Sequence, residues 1–318
     1  MIKLGIVGAG NIVPFHLTAA RQAGFEPVAI CGTQNSERAK QLASQNPLLD
    51  FKNSLDDLLA VDLQAILIAA TTESNSAILK KCLEKKIPIL VEKPVSLLVS
   101  EIEDLENWDT SKVIVGYNRR HYSSVTAFKE KLSNLDFGLV KINIPELSWD
   151  PDADFDSRQR MLFENATHIL DLIPYLFGKI KILGTEKISD NQGTKFCVVS
   201  FRSENRFVGS ISLGYGIPEN LSIKCWASGL NLELNPIEKL NICKELEMID
   251  ASANWPVKRY TKKLLNEWVI SAEDISAKPG FVLQFQELRT LITNPEANLR
   301  SARLNDAKNA LLLATLLS

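Results

Sequence analysis

The sequence predicts an α/β half joined to an α+β half: an N-terminal doubly wound parallel sheet, then a predominantly antiparallel open sheet. Three observations carry this prediction. Over the first 120 residues, short apolar runs without polar alternation take turns with helical segments, as in parallel strands covered on both faces. The first of those runs ends in a glycine loop that opens a helix. After about residue 120 the apolar period falls to two, with Gly and Asn between the alternating stretches, the pattern of antiparallel strands joined by turns.

Ile2–Val7 reads as the first strand and Asn11–Ala23 as the helix after it. Glu26–Cys31 is a second strand, and Ser36 is placed to cap a helix through Leu42. Ser54 to Leu59 is another capped helix, Ala65–Ala69 a buried strand, and Ala77–Leu83 the helix behind it. Ile87–Val91 and Lys112–Gly116 complete the parallel series around a helix at Glu101–Glu106. Further on, a helix near Val125–Leu132 precedes alternating stretches at Leu139–Leu147, Lys195–Arg202, Arg206–Leu213 and Leu221–Ala227. Helices are expected over Asn165–Phe177, Val282–Ile292 and Asn305–Leu316, whereas Lys239–Lys278 yields no assignment. The expected domains are 1–118 and 119–318, with the last helix packing back on the first domain.

The chain has 318 residues, a length at which single cores commonly split in two. With 36 Lys plus Arg against 38 Asp plus Glu, the net charge of −2 argues against a nucleic-acid partner, which needs a basic surface. No apolar run approaches the roughly 20 residues of a membrane span; the longest, Ala310–Leu317, reads as a core helix. The first residues lack a charged leader followed by a long apolar stretch. Five cysteines without C-x-x-C spacing exclude a disulfide framework and a zinc site, and fit a cytoplasmic protein.

Gly8-Ala9-Gly10-Asn11-Ile12 follows the first strand directly. Glycine at 8 allows the tight turn, glycine at 10 lets backbone approach a diphosphate, and the helix N-terminus offers N–H groups and positive charge. This context makes the segment a dinucleotide-binding, Rossmann-type loop rather than a plain strand–turn–helix. Val13 occupies the place of the usual third glycine, which serves helix–strand packing. At the end of the second strand Gly32 replaces the usual acid, and Thr33, Gln34 and Arg38 follow. With no carboxylate to repel a 2′-phosphate, NADP is favoured over NAD. A solvated Arg38 is the plain alternative.

These residues, together with Glu92-Lys93-Pro94, Gly116-Tyr117-Asn118-Arg119-Arg120 and Glu164-Asn165-Ala166-Thr167-His168, resemble the Gfo/Idh/MocA family of oxidoreductases. The resemblance implies a nicotinamide cofactor at the edge of the parallel sheet and a sugar, sugar nucleotide or cyclitol substrate. It implies Lys93 as the residue that hydrogen-bonds the reacting hydroxyl, His168 as the proton-transfer residue, and Glu164 as its helper. It extends the cofactor site to Ala70, Thr71, Glu92, Lys93 and Asn118, and the substrate site to Lys93, Arg120, Tyr122 and Asn165. A homo-oligomer, dimer or tetramer, is expected on the same ground, through the open sheet. A non-catalytic cofactor-binding sensor is the competing function.

The chemistry of the residues agrees with that expectation. Hydride transfer from a carbinol requires loss of the hydroxyl proton, which an imidazole near pKa 6.5 accepts at neutral pH and a lysine steadies. Glu164 and His168, four apart, would share a helical face, with Asp171 near it. A satisfied core histidine is the plain alternative for His168, and His16 and His121 are weaker candidates. Arg158 and Arg160 would reach an anionic substrate group or simply balance the nearby aspartates. The family's Thr-Pro loop is Ala70-Thr71-Thr72 here, a usual histidine is Ser76, and the approach Arg160–Asn165 is bulky. Asp150 to Asp156 imitates a calcium loop, but Phe155 and Met161 stand where glycine and glutamate are needed, so no metal is expected.

Overall fold

The computed structural model describes residues 1–33, 36–146, 155–190, 193–270 and 277–318. The elements run β1 (Ile2–Val7), α1 (Val13–Gln22), β2 (Phe25–Cys31), α2 (Glu37–Ser44), β3 (Asp50–Lys52), α3 (Leu55–Leu59), β4 (Ala65–Ile68) and α4 (Thr72–Leu83). Next come β5 (Ile89–Val91), α5 (Val99–Leu105), β6 (Val113–Val115), a 3-10 turn at Asn118–His121, α6 (Ser123–Leu132) and β7 (Gly138–Glu146). Three helices follow, α7 (Phe155–Asn165), α8 (Thr167–Leu170) and α9 (Leu172–Phe177). Strands β8 (Ile180–Asp190), β9 (Gly193–Ser203), β10 (Phe207–Tyr215) and β11 (Ser222–Ala227) come after them. The chain closes with β12 (Leu230–Leu234), β13 (Lys239–Ile249), β14 (Arg259–Val269), α10 (Phe281–Thr293) and α11 (Leu304–Leu317).

The chain divides into two compact units that interleave in sequence. The first comprises Met1–His121, Arg160–Asp171 and Ala272–Leu316; the second comprises Tyr122–Gln159, Leu172–Ser271 and Leu317–Ser318. The first unit holds a six-stranded sheet in the order β3-β2-β1-β4-β5-β6, parallel throughout. That order places the switch between β1 and β4, where doubly wound sheets bind ligands. Strands β4, β5 and β6 are buried along their whole length, which is why they read as unbroken apolar runs. Ser36 and Ser54 cap α2 and α3 by accepting the Ala39 and Asp57 N–H groups at 3.3 and 3.0 Å. Val13, in place of the third glycine, is fully buried in a core with Leu4, Phe25, Phe285 and Leu288.

The second unit holds an eight-stranded sheet ordered β14-β13-β12-β11-β7-β10-β9-β8. Only the β7–β10 pair is parallel; the other described pairings are antiparallel. Burial alternates along β7, β9 and β10, so one face is covered and the other open. Among the described residues no helix is long and apolar enough to cross a membrane, and no group of His, Cys, Asp or Glu is arranged to hold a metal.

Several sequence expectations change. The stretch Lys239–Lys278, without an assignment, contains the hairpin β13–β14. Its outer half is exposed on both faces, so no buried stripe imprints alternation on it. Strands β3, β8 and β12 also lie where no strand is expected; β3 and β8 are edge strands, the first of three residues and the second exposed over most of its length. The expected helix Asn165–Phe177 instead starts at Phe155 and is interrupted at Ala166 and Asp171. Pro174 lacks the N–H that would bond the Leu170 carbonyl, so the ladder weakens there.

Candidate active site

A cavity of about 350 Å³ opens at the C-terminal ends of β4, β5 and β6, against the loop between β1 and α1. All of its lining residues lie in the first unit. Gly8 has φ +107°, and a Cβ there would lie 2.1 Å from the Ala69 carbonyl oxygen, so only glycine makes this turn. A Cβ at Gly10 would meet nothing nearer than 3.9 Å, which leaves the backbone open to the cavity. Asn11 and Ile12 line the cavity just before α1 begins. That helix has no side-chain cap and no acid in its first turn. An uncompensated helix N-terminus is suited to an anion such as a dinucleotide diphosphate.

Lys93 follows β5 and is preceded by Glu92, whose carboxylate is fixed on two sides. Glu92 Oε1 lies 2.7 Å from His16 Nε2, and Glu92 Oε2 accepts the Lys93 backbone N–H at 3.1 Å. Burial pushes the Glu92 carboxyl up, but the hydrogen bond and charge of His16, with the Lys93 charge, hold it below the usual range. His16 is fully buried, stacked on Phe281 with centroids 4.3 Å apart. Asn75 Nδ2 donates to the Pro94 carbonyl at 3.1 Å across the cis Lys93–Pro94 bond. The backbone that carries Lys93 is thus held from α1 and from α4.

Lys93 Nζ donates to the backbone carbonyl of Glu164 at 2.7 Å. Burial lowers its pKa, and the neighbouring charges of Arg119 and Lys278 act the same way against the opposing Glu92 and Glu164. His168 lines the same cavity and lies edge-on to Tyr117 at 6.0 Å. Its pKa falls well below 6.5 through burial, reinforced by Lys93, Arg119 and Lys278. The imidazole is therefore neutral at neutral pH and carries a lone pair that accepts a proton. Among the described residues no hydrogen-bond partner reaches His168 Nδ1.

Several expected residues stand elsewhere. The Glu164 carboxylate turns to Arg160 Nε at 2.9 Å, not to His168; a guanidinium one turn earlier on the helix competes for it. Arg160 also reaches Glu73 at 2.5 Å, so it is engaged by two carboxylates. Arg120, expected at the substrate, is sealed inside: its side chain is 6% exposed and binds Asp171 through Nε and Nη2 at 2.7 and 2.6 Å, with Asp306 at 3.3 Å. Asp171 is correspondingly fixed on Arg120 instead of orienting His168. Tyr122 is 6% exposed in the second unit, and Asn165 is exposed at the end of α7.

Ala70 and Asn118 line the cavity, and Thr71, exposed, precedes α4. Gly32 follows β2; a Cβ there would stand 2.7 Å from the Ser36 side chain. Thr33 and Arg38 are exposed. Gln34 and the side chain of Arg158 fall outside the described residues, as does most of the Asp150–Asp156 loop. Ser76, in place of a histidine, donates to Glu101 at 2.6 Å.

Lys278 and Phe281 line the site without any mark in the sequence, and His16, a weaker candidate there, stands in its wall through Phe281 and Glu92. Asn118 Nδ2 donates to the Pro279 carbonyl at 2.8 Å, and Gly280, at φ +81°, would place a Cβ 2.3 Å from the Asn118 carbonyl oxygen. These contacts bring the start of α10, with Lys278 and Phe281, to the cavity. The glycine before the Phe281 helix was the one local sign available, and it does not say where the helix docks.

The family model for the Gfo/Idh/MocA oxidoreductases, NAD-binding Rossmann fold, matches residues 2–127. Inositol 2-dehydrogenase of Corynebacterium glutamicum is 27% identical over 187 residues, covering 56% of this chain and 54% of that protein. Glucose-6-phosphate 3-dehydrogenase of Bacillus subtilis is 24% identical over 191 residues, with 56% and 54% covered. The chain thus spans about half the length of the curated relatives it matches. The fold is shared along nearly the whole chain with a levoglucosan dehydrogenase solved with NADH and levoglucosan. That match has a TM-score of 0.78 at 15% identity, covering 99% of this chain and 96% of the other.

Proposed function

We propose, from the match of residues 2–127 to the Gfo/Idh/MocA oxidoreductase family model, that this chain transfers a hydride between a nicotinamide cofactor and a carbinol or carbonyl of a sugar, sugar nucleotide or cyclitol. One observation carries the proposal: Lys93, His168 and the uncapped start of α1 line a single cavity. When bound, the nicotinamide supplies the hydride acceptor or donor. The Gly8–Ile12 backbone receives the diphosphate at the N-terminus of α1. Lys93, held at the Glu164 carbonyl, donates a hydrogen bond to the reacting oxygen and steadies its negative charge. Neutral His168 takes the hydroxyl proton as the C–H hydride leaves, and returns it in reduction. The reading divides the labour between residues 1–118 for the cofactor and 119–318 for substrate and assembly, with His168 supplied from beyond that boundary.

NADP is the preferred cofactor in this reading. The end of β2 carries no carboxylate, Ser36 crowds any side chain at Gly32, and Thr33 and Arg38 are exposed beside it. A 2′-phosphate would meet donors there instead of an acid. The fold also favours a homo-oligomer through the open face of the second sheet. Ile188 and Phe196 pair across β8 and β9, and both are exposed with Val198.

Titration of the purified chain with NADPH and NADH, followed by fluorescence, tests the core of this reading. Binding of NADPH in preference to NADH is expected, and Arg38→Ala should weaken NADPH alone. Absence of binding to either at millimolar concentration would defeat the oxidoreductase assignment. Light scattering after size exclusion checks the assembly, where a monomer would count against the open-face contact.

A further inference from the structure

The cavity carries more positive charge than proton handling needs. Lys278 lines it beside His168, its ammonium 5.5 and 5.6 Å from the ring centres of Phe15 and Phe281. Among the described residues no carboxylate pairs with it. Arg119 stands in the 3-10 turn directly after the cavity-lining Asn118, and its Nη1 is buried without a hydrogen-bond partner among the described residues. A buried guanidinium N–H left without an acceptor costs a full desolvation penalty, so the arrangement is incomplete as it stands. Lys93 adds a third cation, bonded to a neutral carbonyl.

The acids nearby do not balance these charges. Glu92 is engaged by His16 and the Lys93 backbone, and the Glu164 carboxylate faces Arg160. Lys93 and Lys278 line the cavity together with His168, and the charges of both and of Arg119 bear on that histidine. An oxyanion accepting from both Lys278 and Arg119 would complete the hydrogen bonding and neutralise the cluster.

We propose that Lys278 and Arg119 form an oxyanion subsite beside Lys93 and His168, so that the substrate is an acidic sugar carrying a carboxylate or phosphate. This inference rests on the oxidoreductase reading above and narrows it. The subsite selects among sugars by charge: a neutral sugar leaves both cations unanswered, while an acidic one satisfies them.

Calorimetry on the full chain separates the two claims. The chain is first titrated with NADPH and NADH. Saturated with the tighter of them, it is then titrated with glucuronate, glucose 6-phosphate and glucose. At least one acidic sugar is expected to bind about tenfold or more tighter than glucose, the scale of a charge-assisted hydrogen bond. Lys278→Gln and Arg119→Gln should each remove that preference with cofactor affinity unchanged, which also certifies their folding, and Lys278→Arg should retain it. Which acid binds distinguishes carboxylate from phosphate. Equal or tighter binding of glucose, or binding of no sugar, overturns the subsite while cofactor binding leaves the oxidoreductase reading standing. An equal loss of cofactor affinity in both variants overturns it too, because the anion would then be the cofactor's diphosphate. If neither cofactor binds, the broader reading falls and this one with it.

Discussion

His16 Nε2 stands 2.7 Å from Glu92 Oε1, joining the first helix of the parallel sheet to the residue that precedes Lys93. The Glu92 side chain is 11% exposed and the histidine is fully buried. Removing one partner of such a pair strands a buried charge, at about 3–5 kcal/mol. His16→Leu should therefore lower unfolding free energy by that order in urea titrations. Combining it with Glu92→Gln should cost less than the sum of the two, by about 1–3 kcal/mol for groups in direct contact. Strict additivity would show that the pair does not act as a unit.

Lys93→Met keeps the length of the side chain but removes the donor that the proposed function sets against the reacting oxygen. Turnover should fall by a factor on the order of 100 to 10,000, while NADPH affinity is retained. Steady-state kinetics beside fluorescence titration make the comparison. A variant that kept its kcat would remove Lys93 from the chemistry.

The depressed pKa of His168 sets the direction of a pH profile. With its pKa well below 6.5, the group is unprotonated across neutral pH. The rate of carbinol oxidation should hold level from neutral pH to below 6.5 and fall only on further acidification. In His168→Asn that limb should vanish along with most activity. A limb centred at or above 6.5 would contradict the assignment of His168 as the base.

His121 gives a separate acid dependence, in stability. It is buried, with Nε2 3.0 Å from Ser301 Oγ, and burial pulls its pKa down to about 4. Its unfolded value is about 6.5. Between those values the unfolded chain binds the extra proton, so stability rises with pH there and is lost as pH falls from about 6.5 toward 4. The slope from one such group is at most about 1.4 kcal/mol per pH unit. Thermal melts across this window should show the loss, and His121→Gln should flatten its share of it.

Local patterning carried a large part of this protein. The parallel strands were visible because Ala65–Ile68 and Ile89–Val91 are buried on both faces, which leaves no room for polar alternation. The Gly8–Ile12 loop was visible because a tight turn into a helix demands glycine locally. The Glu92-Lys93 and Glu164–His168 positions came from the resemblance to the motifs of a known family, which holds without knowledge of their neighbours.

What partners each side chain takes was decided only in the folded chain. Lys278 reaches the cavity because Gly280 and Pro279 seat against Asn118, some 160 residues earlier in sequence. Arg120, the last residue of a motif, is claimed by Asp171 and Asp306 and turned inward. The choice of Arg160 over His168 as the partner of Glu164, and the gathering of cations around His168, follow from charges brought together across long separations. Periodicity reports which face of an element is buried; it holds no record of which distant group the fold will set against that face, and at this site those distant groups set the charge.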